Sequence, residues 1–290
     1  MSILVLGSTG LLGQALMEGF KDSEYDAFGT IRTTKSVNFF SKELHNSLIE
    51  VNDVFDFKNL NQLIDNLKIK VLINCISIPD VNNQSLSHLN RVYTEFPTNL
   101  SELCKQKNIR LIQISSDGVF SGTKGNYSEK DKPDPIDLYG NAKLKGEVYE
   151  KNQLIIRISM IGHDKIKHQG LLEWFINQKE CSLYNNYIFS GLTTNELSRI
   201  TKDYILPYSK LSGIYHIAAN PISKYALLSM VADIYNLKIN INKDDSVKMN
   251  RSLSQKKFYM ETGYIPPSWA ELIERMKKGE YWDEYWWYRK

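Results

Sequence analysis

Long apolar runs are missing from this chain. No stretch approaches the about 18 consecutive apolar residues of a membrane-crossing helix, so no membrane partner is expected. Cysteine is scarce: Cys75, Cys104 and Cys181 are the only three in 290 residues, odd in number and without metal-site spacing. Cys75 and Cys181 sit in apolar strand-like runs, where a buried free thiol is the expected state. A reducing cytoplasm fits this usage. An excess of charge is lacking too. The 36 Lys and Arg against 33 Asp and Glu leave a net charge of +3, too small and too evenly spread to call for nucleic acid. Histidine is sparse, and His163, His168 and His216 have no partners at matching spacing, so they read as structural. No segment repeats or is of low complexity, no residue set reads as a metal site, and the chain opens on a strand pattern rather than a basic-then-apolar leader. What is there, 42% hydrophobic and 24% charged residues, describes an ordinary globular chain. Its length suffices for one large α/β domain or two smaller ones.

The most informative stretch comes first. Ser2-Ile3-Leu4-Val5-Leu6 reads as a buried parallel strand, and Gly7-Ser8-Thr9-Gly10-Leu11-Leu12-Gly13 follows, opening a helical run to Phe20. Gly7 can take the tight turn, Gly10 lets backbone approach a pyrophosphate, and Gly13 lets the helix sit close on the strand. The helix N-terminus then presents free N–H groups to phosphate. Such a turn between a strand and a helix is a dinucleotide signature, where the glycine spacing alone is weak.

The second strand, Tyr25 to Thr30, runs into Ile31-Arg32-Thr33-Thr34-Lys35. An acidic residue at this strand end holds a ribose 2′-OH, whereas an arginine accommodates a 2′-phosphate. The chain has Arg32, with Lys35 nearby and no acid, which favours NADP(H) over NAD(H). Leu48-Ile49-Glu50-Val51 is a short third strand. Asp53 follows, a candidate for the adenine amino group or equally a cap for the helix from Phe57 to Leu67. Val71 to Ile76 is a continuous apolar strand, Leu86 to Gln106 a helix, and Arg110 to Ser115 the next strand. The order β-α-β-β-α-β-α-β predicts an α/β fold with a doubly wound parallel sheet of Rossmann type.

Ser115-Ser116-Asp117-Gly118 ends that fifth strand, at the sheet edge where ligands bind. After a polar loop comes Tyr139-Gly140-Asn141-Ala142-Lys143 on a helix expected to run to Glu150. Residues four apart share a helix face, so Lys143 is expected beside Tyr139, lowering the phenol's pKa toward neutrality. A phenol so tuned can exchange a proton with a carbonyl or alcohol oxygen, and the Ser116 hydroxyl can orient that oxygen.

Gly7, Gly10 and Gly13, Ser116, and Tyr139 with Lys143 together resemble an extended short-chain dehydrogenase/reductase. The resemblance is closer to the dTDP-4-dehydrorhamnose reductase group of nucleotide-sugar reductases. It is carried by Ile114 to Gly122, by Tyr127-Ser128-Glu129, Pro135, Tyr139-Gly140 and Lys143-Leu144, and by Gly146-Glu147. Arg157-Ile158-Ser159 and the run from Asn250 to Trp269 extend it over nearly the whole chain. The resemblance implies Tyr139 as the general acid. It implies Lys143 as the partner that lowers the phenol's pKa and binds the nicotinamide ribose, and Ser116 where the group has Thr. Gly118 stands in place of a tyrosine that shapes the sugar pocket, Met160 in place of an aromatic, and Tyr93 where many members have a structural Asn.

The expected cofactor contacts are Gly7, Thr9, Gly10, Leu11, Leu12, Gly13, Arg32, Asp53, Val54, Cys75, Ile76, Ser77, Ser115, Tyr139 and Lys143. The expected substrate contacts are Asp117, Gly118 and Arg251, the last because a guanidinium suits a diphosphate. Residues 1–160, with 182–220 returning to them, are expected to form the dinucleotide domain, and 161–181 with 221–290 a substrate lobe. Helices are expected over Leu171–Lys179, with Trp174 and Phe175 in the core, over Ser223–Tyr235 and over Trp269–Lys278. Another is expected to start at a cap on Thr194 or Asn195, and strands over Cys181–Tyr184 and Gly213–Ala218. The aromatic run Tyr281 to Tyr288 either packs on the body or makes a subunit contact in a homodimer. The implied reaction is NADPH-dependent reduction of the C4 ketone of a nucleotide-diphospho-4-keto-6-deoxy sugar, for a surface polysaccharide. A same-fold epimerase or dehydratase that retains NAD is the first alternative. A non-catalytic, cofactor-binding regulatory subunit is the second.

Overall fold

The computed structural model describes residues 1–78 and 80–278, so the aromatic run 281–288 lies outside the described residues. The chain begins β1 (Ser2–Leu6), α1 (Leu11–Phe20), β2 (Asp26–Ile31), β3 (Leu48–Glu50), α2 (Phe57–Asn66) and β4 (Val71–Asn74). Then come α3 (Leu86–Asn90), α4 (Phe96–Gln106), β5 (Arg110–Ser116), α5 (Leu138–Lys145), β6 (Leu154–Ile158), β7 (Met160–Ile161) and α6 (Leu171–Ile176). It closes with β8 (Glu180–Phe189), β9 (Leu192–Thr193), α7 (Thr194–Ile200), β10 (Gly213–His216), β11 (Ile222–Ser223), α8 (Lys224–Tyr235), β12 (Asn240–Asn250), α9 (Lys256–Thr262) and α10 (Trp269–Lys278). No described helix is long and apolar enough to cross a membrane.

Seven strands form one parallel sheet in the order β10-β6-β5-β4-β1-β2-β3. This is the doubly wound Rossmann-type fold. The reason lies in β1: Ile3 and Val5 join Leu12, Leu16 and Met17 on one face, while Leu4 and Leu6 join Leu60, Ile64, Phe96 and Leu100 on the other. Both faces are covered, so the inner strands β1, β4 and β6 are largely apolar and buried. Strand order reverses between β1 and β4, which opens a crevice at their C-terminal ends.

A smaller sheet, β11-β8-β12, lies beyond the main one. Strand β10 joins the main sheet beside β6, but residues 182–189, expected there as well, run in β8 of the smaller sheet. Strand β12 escaped the sequence reading altogether. It is a polar segment whose parallel partner lies some sixty residues earlier, with a register shift between Asp244 and Lys248. Trp174, expected in the core, is 45% exposed, whereas its neighbour Phe175 is fully buried. Helix α7 starts at Thr194, so its cap is Thr193, one residue earlier than expected.

The expected helix over Leu86–Gln106 is interrupted. Arg91–Glu95 form a π turn, in which the Phe96 N–H donates to the Arg91 carbonyl. Pro97 supplies the reason: it has no N–H, and its ring crowds the carbonyl four residues back, that of Tyr93. Helix α5 is likewise shorter than expected and stops at Gly146. A Cβ there would come 1.8 Å from the Tyr93 carbonyl oxygen, so only glycine lets this helix end meet the π turn.

Candidate active site

Three features meet at the C-terminal edge of the main sheet. The first is the turn between β1 and α1. Gly7 has a φ of +77°, and a Cβ on Gly13 would come 2.3 Å from the Gly7 carbonyl oxygen, so the helix can lie on this turn only without a side chain there. Gly10 is the N-cap of α1 and no side chain caps the helix, which leaves the first-turn N–H groups to a ligand. Beside it opens a cleft of about 550 Å³. Its lining includes Gly7, Thr9, Gly10, Arg32, Asp53, Val54, Cys75, Ile76 and Ser77 from the expected cofactor set. An uncapped helix end, a glycine turn and a cleft of this volume that also holds Arg32 fit a dinucleotide.

Six residues of that set are not in this lining, and two of them, Tyr139 and Lys143, stand on the wall described below. Leu12 and Gly13 pack α1 onto the sheet, and Leu11 faces a small recess with His163 and Thr194. Ser115 is a correction: it is buried, and its hydroxyl donates to Glu147 Oε1 at 2.5 Å, behind the sheet edge. Glu147 in turn accepts a bidentate pair from Arg157 at 2.9 and 2.6 Å, and both side chains are nearly fully buried. Asp53 is not the helix cap; its carboxylate accepts from the Phe55 N–H, and Asp56 caps α2. The cleft also holds residues the sequence did not single out: Thr33 and Ser36 beside Arg32, and Arg91, whose guanidinium lies 4.3 Å from the Phe55 ring centre. His163 and His216 are structural, as read. His163 meets Tyr235 and Glu173, and His216 lies between the Tyr127 carbonyl and Arg157, with its pKa down to about 3 because it is buried beside that cation.

The second feature is the wall formed by the end of β5 and by α5. Asp137 caps α5, accepting from the Gly140 N–H at 2.6 Å, and so aims Tyr139 and Lys143. Ser116 Oγ accepts from the Gly118 N–H at 3.0 Å and donates to Asp117 Oδ1 at 3.2 Å, and the Tyr139 ring stands beside it across Gly118. A Cβ on Gly118 would come 3.2 Å from Ser116 Oγ and 3.3 Å from Tyr139 Cε1, so a side chain there would press on the Ser116 hydroxyl and the Tyr139 ring. Lys143 is buried, and its ammonium donates to the Ile114 carbonyl at 3.1 Å and lies 4.5 Å from the Tyr93 ring centre.

This geometry overturns one expectation. The Tyr139 phenol is not acidified: burial pushes its pKa up, the neighbouring Tyr93, Asp117 and Asp137 add to the rise, and only the nearby Ser116 hydroxyl opposes it. The Lys143 ammonium is turned onto Ile114 and Tyr93 and is not among the charges acting on the phenol. Lys143 itself is brought down to about 8 by burial, against the opposing pull of Cys75 and Glu147.

The third feature is a cationic cluster on the far side of Ser116. The segment carrying Arg251 is laced across the β5–α5 loop: Asn250 N–H donates to the Gly122 carbonyl, and Tyr127 N–H to the Ser252 carbonyl. Arg251 reaches Asp137 at 3.3 Å, while its Nε is buried without a hydrogen-bond partner. Lys224, at the start of α8, lies 4.0 Å from the Tyr187 ring centre, and the Arg251 charge opposes the rise that burial imposes on the Tyr187 phenol's pKa. Asp117 sits among them, raised to about 6 by burial while Arg251, Ser116, Ser159 and Lys224 hold it down. Lys224 carried no sequence signal, because only the second sheet and α8 bring it to Arg251, whereas Tyr187 lies in the stretch 185–194, which resembles the family loop that touches substrate.

A profile of the family described as RmlD substrate binding domain matches residues 1–279. Methionine adenosyltransferase 2 subunit beta from Danio rerio is 27% identical over 257 residues, 81% of this chain and 74% of that protein. A probable low-salt glycan biosynthesis reductase from Haloferax volcanii is 30% identical over 168 residues, 56% of this chain and 54% of that protein. Among solved structures, the dTDP-4-dehydrorhamnose reductase of Bacillus anthracis in complex with NADP superimposes with a TM-score of 0.76 at 21% identity, covering 95% of this chain and 98% of that one. A hypothetical dTDP-4-dehydrorhamnose reductase from Sulfolobus tokodaii gives 0.76 at 22% identity, with 93% and 98% covered. At these identities the structural likeness shows a common fold.

Proposed function

Since the chain belongs to the RmlD substrate binding domain family, we propose that it is an NADPH-dependent reductase of the C4 ketone of a nucleotide-diphospho-4-keto-6-deoxy sugar. In this reading it acts in the cytoplasm and supplies a deoxy sugar to a surface polysaccharide. The observation that carries the proposal is the placing of Ser116 and Tyr139 side by side, 3.2 and 3.3 Å from a Cβ built on Gly118, on the same wall as the buried Lys143.

The nicotinamide, when bound, supplies hydride. Around it, Gly7, Gly10 and the open end of α1 receive the pyrophosphate. Arg32, with the hydroxyls of Thr33 and Ser36, meets a 2′-phosphate at the rim. Lys143 holds the nicotinamide ribose. Tyr139 donates its proton to the C4 oxygen, which Ser116 orients by a second hydrogen bond. A phenol whose pKa is raised keeps its proton at neutral pH, which is the form a reduction needs. Arg251 and Lys224 face the sugar diphosphate, and the unpartnered Arg251 Nε is a donor free to take a phosphate oxygen.

The test mixes protein, NADPH and dTDP-, UDP- or GDP-linked 4-keto sugars and follows the nicotinamide absorbance. Tyr139→Phe is expected to lower turnover by about 10²- to 10⁴-fold while leaving NADPH affinity unchanged. Undiminished turnover refutes the acid role.

A second reading, a cofactor-binding subunit without turnover, is favoured by the relatives named as subunit beta of methionine adenosyltransferase 2. The Ser116–Tyr139 pair and the buried Lys143 favour the enzyme. A stable complex with a partner enzyme, together with no turnover on any 4-keto sugar nucleotide, would decide for the subunit.

A further inference from the structure

The buried ammonium of Lys143 has three donors, and the structure gives it one carbonyl, that of Ile114. What lies on its other side is the face of Tyr93, 4.5 Å from the ring centre. The same ring stands nearly perpendicular to that of Tyr139, with centres 5.2 Å apart and planes at 83°. Its hydroxyl lies 2.9 Å from Ser77 Oγ and accepts from the Ile78 N–H at 3.0 Å, and Ser77 lines the dinucleotide cleft. One buried side chain therefore touches the ammonium, the phenol and the cleft wall.

The backbone holds that side chain in place. Tyr93 lies inside the π turn that Pro97 imposes, and the Gly146 end of α5 rests against its carbonyl. Thr94 adds a hydrogen bond from its hydroxyl to the Ala142 carbonyl at 3.0 Å. Helix α5, which carries both Tyr139 and Lys143, is thus docked on residues 93 and 94 by the Gly146–Tyr93 main-chain contact and the Thr94 hydroxyl, and the Tyr93 ring touches both side chains.

We propose that Tyr93 is a positioning residue of the reducing site, whose ring face holds the Lys143 ammonium, whose perpendicular contact sets the Tyr139 ring, and whose hydroxyl fastens both to the cleft wall at Ser77 and Ile78. The proposal rests on Tyr139 and Lys143 being the working pair of the reductase. A ring quadrupole attracts an ammonium over its face most strongly where water is excluded. This attraction offsets part of the burial that lowers Lys143 and keeps its charge directed away from the phenol. The arrangement explains why an ammonium one helical turn along does not acidify Tyr139. It also means that a cofactor bound against Ser77 touches a residue in contact with both side chains.

The test replaces Tyr93 by phenylalanine and then by mono-, di- and trifluorophenylalanine, which keep the ring's shape while draining its face of negative charge. Lys143 is followed by NMR of lysine side chains labelled with carbon-13, its signal assigned with Lys143→Arg. Tyr93→Phe is expected to leave the Lys143 titration close to the native one, and to weaken NADPH binding about five-fold through the loss of the Ser77 and Ile78 bonds. Trifluorination is expected to lower the Lys143 titration by about half a pH unit relative to Phe, in steps that follow the fluorine count, with no matching change in melting temperature. A purely space-filling Tyr93 would not produce those steps, and a titration indifferent to fluorine overturns the proposal. The titration needs no substrate. The fluorine dependence in a protein that reduces no sugar supports the Tyr93 contact and overturns the reductase reading alone.

Discussion

Lys143 carries a charge in a place that disfavours it, and the consequence can be measured. Burial brings its pKa from the ordinary 10.5 to about 8. The gap corresponds to about 3 kcal/mol, at about 1.4 kcal/mol per pH unit. Below pH 8 both folded and unfolded chains carry the charge, and folding bears the full desolvation cost. Between pH 8 and 10.5 the unfolded chain holds a proton that the folded chain has released, so this residue's contribution makes stability rise with pH. Above 10.5 both forms are neutral and the cost is gone. Lys143→Met fills a similar volume without the charge. Its stability relative to the native protein is therefore expected to be highest at pH 7 and to shrink by about 2 kcal/mol by pH 9.5. Cys75 and Cys104, whose thiols burial raises to about 12, lower stability over the same range in both proteins, and that part cancels in the difference. The assay is urea unfolding of both proteins at half-unit pH steps without added nucleotide. A difference that stays flat across pH 7 to 9.5 refutes the reasoning, because it means that Lys143 is not desolvated in the fold.

Gly13→Ala is expected to destabilise by about 1–3 kcal/mol and to weaken NADPH binding at least ten-fold, since the new methyl meets the Gly7 carbonyl and Ser8 Cα and no side chain can yield; melting temperature and fluorescence titration check both. Glu147→Ala leaves the Arg157 guanidinium buried without its carboxylate, and a loss of about 3–5 kcal/mol is expected in chemical denaturation. Arg32→Ala is expected to lower affinity for NADPH about ten-fold and leave NADH affinity unchanged; a thermal-shift comparison of the two nucleotides reads the difference, and equal losses would remove Arg32 from a 2′-phosphate site.

Much of the site was legible because its parts are local. The glycine turn, the strand end at Ser116 and the Tyr139–Lys143 spacing each lie within one strand–turn–helix unit, where the period of the element fixes which side chains meet. Ser115 shows the limit of that logic: adjacent to Ser116, it points the opposite way on the pleat and meets Glu147, a partner 32 residues on. Tyr139 shows a second limit. Helical spacing brings Lys143 to its face, but the ammonium follows the nearest acceptor and aromatic surface, and these come from β5 and the π turn.

The sequence by itself determined the layering of the molecule, since apolar strands alternating with amphipathic helices can bury both faces only as a doubly wound parallel sheet, and its opening glycines determined where a dinucleotide fits. The tertiary structure decided the electrostatics and the substrate side. Burial, which no spacing reports, set the direction in which Tyr139, Lys143 and Asp117 titrate. Contacts between segments 27 to 64 residues apart in sequence brought Tyr187, Lys224 and Arg251 into one cluster. Such contacts depend on the packing of whole elements against one another, and no short-range pattern in the chain encodes them.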